Sequence, residues 1–471
     1  MLSMLMFLTF GFSNFASAKS IDLLGGVKNE YRYEEYVFIT GKPIKFTGTK
    51  KDVTVTEKES KGKLTETYKF SLTGTNGEKL TRNFTYTYDV TNYDQVGQSS
   101  ATGEVTKFTE KITVDKSTYT LVDYQLSKST ITDKRPASDY YLGDAIARKT
   151  YTTKVGTGKN AVEAEIVVTI DSRNVGYENF WGATETQLTN YNIVFPNGEE
   201  GTVKNSVSTS KSMSLDYSEN NASLGSFDGS YKTIKSIDTI SEYTYDLPAS
   251  SGKVTLNNDY NPVIEMLKLP SFRDLSTHWA RTSIEKLYSL GVLDDDSNFF
   301  SPNTSAERYD FAISIGKAID LRVLEERSSK SKATKSVFND VKLSTKDYNY
   351  LEAAVNKGVI KGTSATTFAP VSYLTREQAA TIIVRALGLE GKAPDPSFTT
   401  GFKDDKKISN YARDAVYVVS ELGLMIGNAN STFNPTGSLT RAEAAVIIGR
   451  FLEYLENDLK QNYREDILFF E

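Results

Sequence analysis

The sequence predicts a two-part protein: an antiparallel β region, folded as a sandwich, a barrel or a strongly curved sheet, followed by an all-α region. Three observations carry this. Apolar and polar residues alternate from about Lys19 to Leu269; after Pro270 the apolar residues recur every three or four positions; and the helical part repeats itself three times at a spacing of roughly 65 residues.

Composition bounds the rest. The chain has 471 residues, 39% hydrophobic and 24% charged, a mixture that supports two or three globular domains and argues against general disorder. A net charge of −5 gives no reason to expect a nucleic-acid partner, because that needs a surplus of Lys and Arg on one face. There is no cysteine and a single histidine, His278. Disulfides, thiolate metal sites, cysteine nucleophiles and multi-histidine metal sites are excluded together. No cofactor is expected.

Residues 1–18 form an uncharged stretch ending in Ala16-Ser17-Ala18, the small-residue pattern of a secretory cleavage site, although the usual basic start is missing. Cleavage after Ala18 is expected. No other stretch reaches the ~20 apolar residues of a membrane-spanning helix.

In the region 19–269, Phe84, Tyr86, Tyr88 and Val90 alternate with polar neighbours, as do Ala164, Ile166, Val168 and Ile170. A period of two places one face of each strand in a core. Asn76-Gly77 follows the strand-like Tyr68–Leu72, and Asn197-Gly198 follows Ile193–Phe195; both are hairpin turn signals. Thr and Tyr are abundant, which suits a pleated surface with one wet face. Whether this region is one domain or two stays open.

In the helical region Ala280, Ile284 and Leu287 lie on one helix face, and so do Ala412, Val416 and Val419. Each repeat opens with Phe-x-Asp: Phe272-Arg273-Asp274, Phe338-Asn339-Asp340 and Phe402-Lys403-Asp404. A first helix then stops at Gly291, Gly358 or Gly423, where glycine takes the left-handed conformation. Phe-x-Pro follows at Phe300-Ser301-Pro302, Phe368-Ala369-Pro370 and Phe433-Asn434-Pro435, and beyond each proline stands an arginine: Arg308, Arg376 or Arg441.

These features resemble the S-layer homology (SLH) family, whose repeats carry Phe-x-Asp, an aromatic-Ala pair, Leu-Gly-Val/Ile, Phe-x-Pro and a Thr-Arg-Ala-Glu box. The third repeat matches best, with Tyr411-Ala412, Leu422-Gly423-Leu424 and Thr440-Arg441-Ala442-Glu443. The second lacks the aromatic before its first helix. The first keeps Trp279-Ala280 and Leu290-Gly291-Val292 but has Glu307 where Thr is usual. The resemblance implies repeats at 270–326, 336–392 and 400–456, with a closing helix or tail at 457–471. It implies a three-pronged body, a pseudo-trimer around a three-helix core, that binds cell-wall polysaccharide, in many members a pyruvylated one, in grooves between prongs.

Thr375 with Gln378 and Thr440 with Glu443 form capping boxes, which put Arg376 and Arg441 at the first helical position. A cation there is slightly unfavourable for the helix, so an anion docked on the guanidinium and the free N–H groups is the functional reading, with a pyruvyl carboxylate as the implied partner. The structural reading is an ion pair between prongs. Arg308, beside Glu307, is the weakest of the three. Trp279 and Tyr411 read either as hydrophobic anchors or as sugar-stacking faces. Gly291, Gly358 and Gly423 are helix stops that also let a sugar approach the backbone. Asp274, Asp340 and Asp404 read as turn or cap residues.

The expected protein is therefore exported, secreted to the wall or S-layer of a bacterium of Gram-positive type, and displays the β region as a structural or binding module. A surface-tethered polysaccharide hydrolase is the alternative. Its one tempting segment is Gly176–Glu185, where carboxylates flank Trp181; the competing reading is a loop whose tryptophan plugs a core. The helical region is expected to fold independently of the β region.

Overall fold

The computed structural model describes residues 25–28, 32–93, 97–155, 162–218, 229–257, 260–294, 297–319, 335–394 and 398–457. The expected cleavage site at Ala18 and the tail beyond Asn457 lie outside them.

The β region is one continuous antiparallel sheet of fifteen strands among the described residues, running from Val27 to Leu267. Strands follow one another up and down in sequence order, with two departures. The strand Val53–Ser60 pairs only with Lys63–Gly74, and Val263–Leu267 returns to pair with Ser230–Leu247. From Lys79 to Leu247 the strands are 13 to 19 residues long, well beyond the usual five or six.

So wide a twisted sheet curls on itself. Gly25 at one end accepts hydrogen bonds from Ser241 and Tyr243, both at 2.6 Å, near the other end. The result is a near-barrel, which resolves the choice left open by the sequence. One core fills its interior: Phe46, Leu72, Leu80, Phe84, Tyr86, Ile112, Ile166, Ile170 and Val203. Gly77 and Gly198 take φ of 90° and 80°, the left-handed turn residues their Asn-Gly pairs predict.

Among the described residues six α-helices follow: α1 (Arg281–Ser289), α2 (Arg308–Ala318), α3 (Tyr348–Asn356), α4 (Arg376–Leu387), α5 (Arg413–Glu421) and α6 (Arg441–Asn457). Each repeat supplies two. α2 packs against α4 and α6, while α1 packs on α6, α3 on α2 and α5 on α4. The first helix of every repeat thus rests on the second helix of the preceding one, and the third repeat closes back on the first.

The expectation of a self-contained helical unit meets a shared core. Ala137, Trp181 and Met213 of the β region belong to the same buried cluster as the helices. Asn179 Nδ2 donates to the carbonyl of Leu455 on α6 at 2.9 Å. Trp181, only 3% exposed, plugs a core as one reading held, and that core is the one between the two regions.

Candidate functional site at the repeat junctions

The three Phe-x-Pro turns are built alike. The middle residues Ser301, Ala369 and Asn434 have φ of 56°, 60° and 57°, an uncommon conformation for side-chain-bearing residues. A carboxylate holds each turn. Asp274 accepts from the N–H groups of Phe300 and Ser301, Asp340 from Phe368 and Ala369, and Asp404 from Phe433 and Asn434. Partial burial alone would raise the pKa of Asp274 and Asp340, but these donated N–H groups hold both below the usual aspartate range. The Phe-x-Asp aspartates are turn clamps, as the sequence suggested.

At the centre, three backbone N–H groups run in a closed triangle. Leu374 donates to Ala306, Ala306 to Leu439 and Leu439 to Leu374, at 2.8 to 2.9 Å. The starts of α2, α4 and α6 follow at once. Here the structure corrects the sequence reading, which left the first helical N–H groups free for an anion. The N–H of Arg308 and Tyr309 donate to Ser372 and Pro370; those of Arg376 and Glu377 donate to Gly437 and Pro435; those of Arg441 and Ala442 donate to Thr304 and Pro302. The neighbouring repeat caps each helix with carbonyls, so the dipole is already answered.

The arginine side chains follow the same cycle. Arg308 Nε donates to the carbonyl of Phe368 at 3.1 Å and Nη2 to Lys361 at 2.8 Å. Arg376 reaches Phe433 at 2.7 Å and Ile426 at 2.8 Å. Arg441 Nε reaches Phe300 at 2.9 Å, with Asp310 3.8 Å from Nη1. Each guanidinium also lies over the ring of that phenylalanine, 4.6 to 5.0 Å from its centroid. Arg308 and Arg376 are buried, at 7% and 9% exposure; the Arg441 side chain keeps 26%. Each arginine is therefore a bracket from one repeat to the next, with Arg441 the most open to solvent.

Counting back from Gly291, Gly358 and Gly423, one position is held by Trp279, Lys346 and Tyr411. Trp279 is 65% exposed and Tyr411 55%, so neither ring anchors the core. Tyr411 Oη donates to Glu377 at 2.9 Å, and Glu377 also accepts from the Ser409 N–H and hydroxyl. Where Lys346 stands, an ion-pair network takes the aromatic's place: Asp294 holds Lys346 and Lys317 at 3.1 and 3.0 Å, and Asp347 holds Lys317 at 2.8 Å. The three junctions share a backbone and differ in what they present.

Gly291, Gly358 and Gly423 have φ of 71°, 74° and 68°. In α1 and α5 the following residue, Val292 or Leu424, donates back to Leu287 or Val419, which closes a Schellman cap. A Cβ at any of the three would meet nothing within 4 Å, so their requirement is conformational and the space beside them is open.

The segment Gly176–Glu185 forms the ends of the hairpin Val162–Asn179 and Gly182–Val194. Glu185 is buried and accepts from Tyr141 Oη at 2.5 Å, and Trp181 is covered by the helices. The sequence reading missed a second set of charges, Glu35, Arg82, Glu110 and Lys149, which point into the near-barrel. Its signal was Arg82, in register with Leu80, Phe84 and Tyr86.

Three stretches, 271–312, 337–380 and 401–445, match the S-layer homology domain, and the C-terminal region consists of three tandem SLH repeats. Domains of this kind bind cell-wall polysaccharide and anchor proteins to the cell surface. No family matches the β region. Relatives include an amylopullulanase of Thermoanaerobacterium thermosulfurigenes, 31% identical over 208 residues, 44% of this chain and 11% of the relative. The exoglucanase XynX of Acetivibrio thermocellus is 31% identical over 192 residues, 40% of this chain and 17% of the relative. The surface-layer 125 kDa protein of Lysinibacillus sphaericus is 29% identical over 199 residues, 41% of this chain and 16% of the relative. The chain spans less than a fifth of the length of each, and the matches are confined to the repeats.

Proposed function

We propose that three SLH repeats hold this chain, as an exported protein, to a pyruvylated secondary cell-wall polysaccharide, and that the near-barrel is displayed at the bacterial surface as a structural or binding module. The observation that carries the reading is the pair of exposed rings, Trp279 and Tyr411, at equivalent places on a closed ring of repeats. An exposed aromatic face is a stacking platform for a sugar ring. Arg441, the least buried of the three bracketing arginines, is the cation offered to a ketal carboxylate. Arg376 and Arg308 contribute field from beneath the surface, and Gly291, Gly358 and Gly423 leave room for the polymer beside the backbone.

Co-sedimentation of the full chain with purified cell walls tests this. Binding is expected to native walls and to fall at least ten-fold when the polysaccharide is stripped or its pyruvyl groups removed. Equal binding to stripped walls overturns the wall ligand; loss on stripping but not on depyruvylation leaves the polymer and removes the pyruvyl group.

The hydrolase alternative draws on the names of two relatives, whose likeness stops at the repeats. In this chain one of the two carboxylates of the tempting segment, Glu185, is buried against Tyr141. Release of reducing sugar from wall polysaccharide by the full chain would favour that alternative.

A further inference from the structure

Four strands each turn one charged side chain into the near-barrel: Glu35 from Arg32–Val37, Arg82 from Lys79–Tyr93, Glu110 from Gln98–Val114 and Lys149 from Ser138–Val155. All four are more than nine-tenths buried. Arg82 bridges the two carboxylates, with Nη1 2.9 Å from Glu35 Oε2 and Nε donating to Glu110. Tyr33 Oη donates to Glu35 Oε2 at 2.7 Å and Tyr151 Oη to Glu110. The Lys149 ammonium lies 4.7 Å from the ring centroids of both Phe84 and Tyr124.

Beside this cluster is a cavity of about 80 Å³ that Glu35 and Lys149 both line. Its apolar walls include Ile112, Val168, Ile170, Ile193 and Val203. The second oxygen of Glu35, Oε1, is buried and accepts from no protein donor. Burying four charges costs several kcal/mol per ion, and apolar residues of similar volume would stabilise a purely structural core as well or better. A buried oxygen without a partner adds a further cost.

The charges also define what fits. Two carboxylates face two cations, so an anion meets Glu35 and Glu110, and a cation meets Arg82 and Lys149. A hydrocarbon leaves Glu35 Oε1 unpaired. A hydroxyl group both donates and accepts, which suits a carboxylate oxygen on one side and an ammonium on the other. Desolvation brings Lys149 down to about 8, which leaves it protonated at neutral pH.

We propose that the interior of the curled sheet binds a small neutral alcohol or polyol, with a hydroxyl between Glu35 and Lys149 and its carbon skeleton on the Val168, Ile193 and Val203 wall. A cavity of about 150 Å³ holds benzene, so one of about 80 Å³ takes a molecule of roughly three heavy atoms.

The probe is ethanol, with propane-saturated buffer and ethylamine as matched controls, on the full chain by saturation-transfer NMR. Ethanol is expected to give signal and both controls none. Glu35→Gln is expected to weaken ethanol at least ten-fold, and Val203→Phe, which fills the cavity, to abolish its signal. If Val203→Phe does not melt cooperatively, Val168→Leu serves as the filling variant. No signal from ethanol means the cavity holds only water and overturns the proposal. Equal signal from propane, or a signal unchanged by the filling variant, overturns it as well.

Discussion

Arg376 donates to the carbonyl of Phe433 at 2.7 Å across the boundary between the second and third repeats. Its Nη2 makes a second bond to Ile426. Hydrogen bonds from charged donors are worth roughly 1.5 to 3 kcal/mol each, and a carbonyl left unpaired adds its own cost. Arg376→Ala is therefore expected to destabilise the repeats by about 3 kcal/mol in denaturant unfolding, and Arg441→Ala by about half of that, since its side chain is more exposed to solvent. Equal and negligible losses would show that neither arginine brackets the ring.

Because α1 rests on α6 and the backbone triangle needs Ala306, Leu374 and Leu439 together, no repeat is complete alone. A chain ending at Gly391, which lacks the third repeat, is expected to lose the cooperative unfolding of the first two as well. Circular dichroism on heating checks this; a sharp transition retained by the helical part would contradict the closed cycle.

Trp279 and Tyr411 test the surface separately from the fold. Trp279→Ala is expected to leave the melting temperature within a degree or two and to weaken wall co-sedimentation several-fold. Tyr411→Phe, which removes only the bond to Glu377, is expected to keep wall binding, whereas Tyr411→Ala is not. A Trp279→Ala protein that binds walls normally would return that ring to ordinary exposed surface.

Trp181 joins the near-barrel to the helices. Replacing a buried tryptophan with alanine costs about 3 to 5 kcal/mol when the space cannot collapse. Trp181→Ala is expected to separate one unfolding transition into two, read by calorimetry, with the helical part melting first. A single transition at the original temperature would show that the shared core does not couple the two regions.

The turn clamps give a pH dependence with a fixed sign. Folded Asp274 and Asp340 titrate below the free value of 3.8, so the unfolded chain binds their protons first. Their contribution is complete above about pH 5 and is lost as pH falls through 3.8 toward the lower folded value. Asp340→Asn is expected to be less stable at pH 7 and to lose less on acidification to pH 3. An unchanged acid slope would remove Asp340 from the linkage.

The sequence by itself determined what is local. Alternation along Phe84, Tyr86 and Tyr88 fixed strands and their inward face, Asn76-Gly77 and Asn197-Gly198 fixed turns, and the capping boxes at Thr375 and Thr440 fixed where α4 and α6 begin. Each depends on neighbours within a few residues, which a sequence displays directly. The repeat pattern was legible for the same reason, since three copies can be laid over one another.

Only the tertiary structure decided the rest, because it rests on partners far apart in the chain. Arg441 meets Phe300 across 141 positions, and that distance turns an arginine read as an open anion site into a bracket between repeats. The curl that brings Gly25 to Tyr243 likewise set barrel over sandwich. It also gathered Glu35, Arg82, Glu110 and Lys149 around one cavity, where four strands' separate exceptions to apolar alternation become a single buried cluster.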